Sequence, residues 1–468
     1  MNKHLSRRKF MYQTACAGVG YSTLYSTLVN LKSLNAASIL NNLYAPPDDY
    51  KALVCVFLTG GADTYNMLIP RGTAEWNEYQ VTRSNLAIPN SQILPITPLN
   101  AMQKTLGVHP NMPHIQSLFQ AEKLAFICNA GSMVNGITKQ SYFNGTAQLP
   151  LGLYSHADQI MHWQTAVPHD RVAQGWGGKL ADIFTAANVN AGDAISMNIS
   201  MSGTNVFQTG NETIEYTVDP NYGSPMIIGY NEGNWQTANM RTQAIDNLLD
   251  QYHVDAFKKT YIDIIKKAKQ GAEVFNQAIE NETLTTIFSG SRLSQSLQMV
   301  ARTIAARQTL GMSRQIFFIE YGGWDHHDEL LVNQAAMLSV VDDACYEFMN
   351  SMEELNISDK VTTFMMTEFG RTLTSNGNGT DHAWGGNVFV MGGAVQGRRV
   401  YGEYPSLALG NPIELGSGTL IPQISVDEYY AELALWFGVA PSDLVTLFPN
   451  IGNFYNVSGG GAPIGFLL

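Results

Sequence analysis

The chain has 468 residues, 45% of them hydrophobic and only 14% charged, which is enough apolar mass for one large or two ordinary domains with a sizeable core. Its 27 basic and 39 acidic residues leave a net charge of −12. Lys3, Arg7, Arg8, Lys9 and Lys32 face no acid in the first 37 positions, so the rest of the chain is more acidic still. A body of that sign has no electrostatic footprint for a phosphate backbone or an anionic membrane face, which excludes nucleic-acid binding.

Ser6-Arg7-Arg8-Lys9-Phe10-Met11 has the form of a twin-arginine export signal, with Met11 and Tyr12 where Leu and Lys are usual. Residues 10–31 are uncharged but interrupted by Gln13, Thr14, Ser22, Thr23, Ser26, Thr27 and Asn30, too polar for a stable membrane span. Ala36-Ala37-Ser38 supplies small residues for cleavage. The expectation is a signal peptide over 1–37, the twin-arginine translocase as partner during export, and a periplasmic or secreted location. Cys55, Cys128 and Cys345 remain after its removal, and without a Cys-x-x-Cys pattern they read as buried free thiols.

Ala52–Leu58 is an unbroken apolar run, the mark of a strand covered on both faces, and it ends in Thr59-Gly60-Gly61-Ala62-Asp63. After a Pro-punctuated loop region, a helix is expected from near His109-Pro110-Asn111 and a second buried strand at Lys123–Asn129. Residues 155–166 read as a helix with Ser155 as its N-cap. The stretch 190–235 is rich in Asn, Gly, Ser and Thr and shows no period. Residues 236–285 hold helix formers and Arg292–Leu310 has a helix pattern. Gln315–Glu320, Val361–Thr367 and Asn387–Met391 read as strands, 328–355 and Val426–Phe437 as helices. This alternation predicts an α/β fold with a mostly parallel central sheet and helices on both faces. The expected organisation is one domain over 50–450, a helical insertion or cap over about 190–310, and a Gly-rich tail over 451–468.

Polar residues collect where strands end, the edge at which open α/β sheets bind ligands. Asp63, Asp325 and Glu368 each follow a strand beside a glycine turn, and His326-His327 follow Asp325. The loop Asn376-Gly377-Asn378-Gly379-Thr380 leads to Asp381-His382, read as a fourth group at a strand end. Carboxylates and imidazoles gathered at one edge repel unless a cation neutralises them. A divalent metal, Zn²⁺, Mn²⁺, Mg²⁺ or Ca²⁺, is therefore expected among Asp63, Asp325, His327, Glu368, Asp381 and His382. Each residue taken singly could instead cap a helix or tighten a turn. Arg371 stands as an anion clamp or a surface ion pair.

The runs VCVFLTGGADTYNMLIP (54–70), SHADQIMHWQTA (155–166) and FFIEYGGWDHH (317–327), with TEFGRT (367–372) and GTDHAWGG (379–386), resemble the family known as domain of unknown function 1501. The likeness covers about 50–450. That family is grouped by fold with the alkaline phosphatase and sulfatase superfamily. The resemblance thus implies a three-layer α/β/α sandwich with one or two divalent metals beside a nucleophile. It maps Asp63 to the first ligand position, Ser155-His156 to the nucleophile region, Asp325 with His327 to the third position and His382 to the last. Three departures stand out. His327 follows Asp325 by two residues rather than four. Glu368-Phe369 replaces the superfamily's Asp-His, and the Cys/Ser-x-Pro-x-Arg sequence of formylglycine sulfatases is absent.

The reading that follows is an exported metal-dependent hydrolase of phosphate or sulfate esters, acting on a small anionic ester or a polysaccharide. Ser155 is its candidate nucleophile, His156 the neighbouring acid/base and Arg371 the anion clamp. The alternative is a secreted binding or assembly protein that keeps the fold without turnover, which the missing imidazole at Phe369 favours.

Overall fold

The computed structural model describes residues 49–467 apart from 191–193, 228–229, 231–232, 234 and 252–254. The expected signal peptide at 1–37 lies outside the described residues. The apolar run after Tyr50 forms β1 (Lys51–Phe57), and every residue from Ala52 onward is buried, as a strand covered on both faces requires. In chain order the other strands are β2 (Leu68–Pro70), β3 (Leu94–Pro95), β4 (Leu106–Val108), β5 (Leu124–Gly131), β6 (Asn198–Ser200) and β7 (Tyr216–Thr217). They continue with β8 (Arg314–Glu320), β9 (Val361–Met366), β10 (Gly386–Met391), β11 (Val400–Tyr401) and β12 (Ile424–Ser425).

The central sheet runs β11-β5-β10-β9-β1-β8-β6-β7, with β12 also on β5. β1 pairs in parallel with β8 (Val54 opposite Phe317) and with β9 (Val54 opposite Thr363). β10 alone is antiparallel, to β5 on one side and β9 on the other. The sheet is therefore mixed and mostly parallel, in an α/β fold. β2, β4 and β3 form a separate antiparallel sheet inside the stretch that reads as loop in the sequence, because strands this short leave no alternation to detect.

The first five helices are α1 (Thr73–Arg83), α2 (Pro113–Gln120), α3 (Lys139–Phe143), α4 (His156–Thr165) and α5 (Trp176–Ala186). The longer chain then adds α6 (Gln236–Leu249), α7 (Ala256–Glu280), α8 (Arg292–Ala305), α9 (Leu330–Glu354), α10 (Val426–Phe437) and α11 (Leu444–Leu447). One layer packs α8, α9 and α2 together, with α8 on β8 and α2 on β5. A second joins α4, α5, α10 and α11, where Trp176 stacks on Tyr430 with ring centroids 4.6 Å apart.

Several boundaries differ from expectation. α2 begins at Pro113 rather than near His109, because proline suits the first helical position while His109–Met112 close a turn. α8 stops at Ala305, and residues 306–310 continue only as turns. Within 190–235, β6 and β7 continue the central sheet beside β8. At the far end of the chain, Phe466 and Leu467 are buried, and Glu432 accepts the N–H groups of Ile464, Gly465 and Leu467. Cys55, Cys128 and Cys345 are buried free thiols, as expected. Among the described residues no helix is long and apolar enough to cross a membrane.

Candidate metal centre

β1, β8 and β9 run in parallel, so the segments that follow them, with Asp63, Asp325 and Glu368, emerge at one edge. Asp381-His382 does not follow a strand, as the sequence reading has it. It enters β10, and because β10 is antiparallel its entry lies at that same edge. Gly60 permits the loops to meet: its φ is +117°, and a Cβ there would stand 2.4 Å from the Asp325 backbone nitrogen.

Three imidazoles converge on the Asp325 carboxylate. His327 Nε2 and His382 Nε2 lie 3.0 and 3.3 Å from Oδ1, and His156 Nε2 lies 3.3 Å from Oδ2. Each ring has its other nitrogen against an acceptor. His382 Nδ1 is 2.8 Å from the Tyr154 carbonyl oxygen, His327 Nδ1 is 3.2 Å from Asp381 Oδ1, and His156 Nδ1 is 3.0 Å from Glu368 Oε1. Each ring thus has an acceptor at both nitrogens, and the tautomer with its proton on Nδ1 is the one that turns an Nε2 lone pair toward Asp325 and a shared cation. His327 Nε2 and His382 Nε2 then face each other at 3.0 Å. His156 Nε2 is buried and makes no hydrogen bond.

The surroundings tune these groups. Desolvation pushes the Asp325 carboxyl up, but the hydrogen bond and charge of Arg371 bring it below its ordinary range. His156 is raised, chiefly by its hydrogen bond to Glu368, whereas desolvation lowers His382. Asp381 is lowered by the Asn376 amide first, which donates to Oδ1 at 3.0 Å.

The other expected site residues are placed as follows. Arg371 is buried and its guanidinium is fully engaged: Nη1 donates to Asp325 Oδ1 at 2.6 Å and to the Gly60 carbonyl, and Nε and Nη2 donate to Thr380. It braces Asp325 from within. Asp63 is buried in an ion pair with Arg83, a partner on α1 that nothing in the local sequence indicates. Glu368 Oε1 also accepts the Gly60 N–H at 2.6 Å, so Glu368 stands behind His156. Ser155 caps α4, accepting a long 3.5 Å hydrogen bond from the Asp158 N–H, and has no hydrogen bond to the imidazole group. His326 is turned inward and buried, and desolvation lowers its pKa. Phe369 stacks on His382 (4.7 Å between centroids) and lies against His156 (5.0 Å), offering no ligand atom on that side.

His156, Asp325 and His382 can each offer one ligand atom within 4.8 Å of the others; His327 stands outside that set and, of its atoms, meets only Asp325 Oδ1 and His382 Nε2, each at 3.0 Å. A second group, His114 with Asp342 and Asp343, is committed elsewhere, because Asp342 accepts the His114 and Ile115 N–H groups and so caps α2. Against Asp381 and His382 opens a cavity of about 260 Å³, lined also by Tyr142, Tyr154, Ser417 and Thr419. These lining residues escape sequence reasoning, since the stretches 142–154 and 415–419 show no period and meet only in the fold.

Residues 50–417 match the family described as protein of unknown function (DUF1501). The chain belongs to the DUF1501 family. No curated protein matches it. Among solved structures it is similar to the PsFucS1 sulfatase from Pseudoalteromonas sp., at 10% identity over 88% of this chain and 72% of that one, with a TM-score of 0.34. It is also similar to Ps i-CgsB in complex with k-i-k-neocarrahexaose (9%, 88% and 75%, TM-score 0.30) and to a mutant of the alkaline phosphatase PafA (10%, 70% and 64%, TM-score 0.24). Superpositions this loose carry nothing about activity.

Proposed function

We propose that this chain is an exported, metal-dependent hydrolase of phosphate or sulfate esters whose cation is held by His156, His327, His382 and Asp325. The observation that carries the reading is the 3.0 Å approach of two Nε2 atoms whose rings have their other nitrogens on acceptors. With both protons on Nδ1, two lone pairs at that distance repel unless positive charge stands beside them. Donors 2.0–2.1 Å from a tetrahedral ion stand about 3.3 Å from one another, which suits the 3.0 Å between His327 and His382 Nε2 and their 3.0 and 3.3 Å approaches to Asp325 Oδ1, while His156 meets Oδ2. Three imidazoles and one carboxylate favour Zn²⁺ over Mg²⁺ or Ca²⁺, which prefer all-oxygen shells.

A bound cation supplies Lewis acidity toward an ester oxygen and lowers the pKa of a nearby water or hydroxyl. The chain's own residues do the rest. The Tyr154 carbonyl, Asp381 and Glu368 fix the tautomer and aim of each imidazole, and Arg371 fixes Asp325. The cavity beside His382 has room for the organic part of an ester. Phe369 in place of an imidazole supports one cation rather than two. The twin-arginine pattern at Arg7-Arg8 supports export.

The test is metal analysis of protein purified without chelator, followed by a panel of phosphomonoesters, phosphodiesters and sulfate esters. Turnover abolished by chelation and restored by Zn²⁺ is expected. Fully loaded protein that turns over no member of the panel would sink the reading and leave a binding or assembly protein in its place. The engagement of the Ser155 hydroxyl in a helix cap is the observation that favours that second reading.

A further inference from the structure

Overall acidity does not describe every part of this chain. Lys258, Lys259, Lys266, Lys267 and Lys269 fall within twelve positions near the start of α7, with Asp263 the one acid among them. On the same turns Phe257, Tyr261 and Ile264 are 90, 66 and 60% exposed. Their spacing of four and then three residues puts them on one helix face, and at 100° per residue Lys258 and Lys267 flank that face on its two sides. Lys266 and Lys269 turn toward α6, pairing with Asp250 and Asp246. Lys258, Lys259 and Lys267 have no acidic partner among the described residues. The far half of the helix is rooted in the body, with Gly271, Ala272, Phe275, Ala278 and Ile279 buried and the Ile279 carbonyl accepting from Arg302. One end of α7 is thus anchored while the other presents aromatic and aliphatic side chains bordered by unpaired ammonium groups.

We propose that the first turns of α7 lie on an anionic lipid surface, with Phe257, Tyr261 and Ile264 entering the interfacial layer and Lys258 and Lys267 meeting headgroup phosphates. The charges select this occupant over a second copy of the chain, because two such faces brought together would set lysines against lysines. The inference is independent of the metal-centre reading, since it uses none of those residues.

The test is co-sedimentation of the full chain with phosphatidylcholine vesicles, with and without about 30% phosphatidylglycerol, at about 0.05 M and about 0.5 M salt, across which the Debye length shrinks several-fold. Binding to the anionic vesicles at low salt is expected, with loss at high salt and little binding to the neutral ones. The variants Phe257→Ser/Tyr261→Ser/Ile264→Ser and Lys258→Glu/Lys267→Glu should each weaken binding about tenfold or more. All five side chains are exposed, so both variants should keep the parent circular dichroism spectrum. Equal binding to neutral vesicles, no binding to either kind, or parent-like binding by both variants would overturn the proposal. So would self-association through this face without vesicle binding, read by sedimentation velocity.

Discussion

Asp63 provides the sharpest test of how the edge of the sheet is organised, because its sequence position marks it as a ligand while its carboxylate is paired with Arg83. Both side chains are buried, at 1% and 0% exposure. Arg83 Nη1 also donates to the Thr372 and Leu373 carbonyls at 3.1 and 3.3 Å, tying α1 to the segment just after Arg371. Asp63→Ala strands a guanidinium in the interior, and breaking a buried pair this way costs about 3–5 kcal/mol. For a folded unit of about 420 residues the unfolding entropy is roughly 0.9 kcal/mol per degree, so the midpoint should fall by about 3–6 °C. The assay is thermal and urea unfolding in the presence of chelator, so that metal binding does not contribute to the difference. Metal content of the untreated protein is measured alongside and should not change. Asp63→Leu with Arg83→Met should recover most of the loss, since an apolar pair of similar volume replaces an ion pair with little penalty. If Asp63→Ala loses the metal while its stability stays within about 1 kcal/mol of the parent, the ion-pair account fails and Asp63 returns to the ligand set.

Four further outcomes are expected. Glu368→Gln removes the carboxylate behind His156 and should weaken Zn²⁺ binding about 10–100-fold in a chelator competition; unchanged affinity would remove Glu368 from the site's support. Ser155→Ala should cost about 0.5–1 kcal/mol through the lost helix cap while turnover persists, and complete loss of turnover at full metal loading would restore Ser155 as the nucleophile. Asp427 is fully buried, and desolvation holds its pKa well above the ordinary carboxyl value. Its neutral form is the one the fold accepts, so its contribution is full below the unfolded pKa near 4 and falls by about 1.4 kcal/mol per pH unit as pH rises toward the folded one. Asp427→Asn should abolish that slope in urea unfolding between about pH 4.5 and 6.5, and parallel curves for the two proteins would contradict it. Arg7→Lys with Arg8→Lys should leave the precursor in the cytoplasm; export in a strain without the twin-arginine translocase would refute the signal.

Much of this architecture is legible from residue order where one element dominates its own surroundings. The apolar runs of β1, β8 and β9 mark buried parallel strands, and Val426–Phe437 is framed by its capping box and terminal glycine. The convergence of Asp325, His327 and His382 follows from acids and histidines beside strand ends. What stayed hidden depends on long-range partners. Asp63 and Glu368 are both acids after strands, and only the packing of α1 and α4 decides that one meets Arg83 and the other His156. Likewise Arg371 has the chemistry of an anion clamp, but burial and four acceptors occupy it. The short strands β6 and β7 carry no period of their own and exist because β8 offers them an edge.

The reversal of β10 has a consequence for how this centre could be exchanged. Residues 367–385 leave β9 and re-enter its immediate neighbour, so their ends stand about one strand spacing, roughly 4.8 Å, apart. The entropy cost of closing such a loop grows slowly with its length, by about 0.6 kcal/mol per doubling, so inserts of different size can stand between the same two strands. The excursion is also braced across its own width, through Gly370 N–H to the Trp384 carbonyl at 2.8 Å and Thr372 N–H to the Asp381 carbonyl at 2.9 Å. It carries Glu368, Arg371, Asp381 and His382, while the strands on either side carry only core. Half of the centre is therefore a cassette: paired crossovers, one at the end of β9 and one at the start of β10, would replace it whole, leaving the sheet that supports it intact.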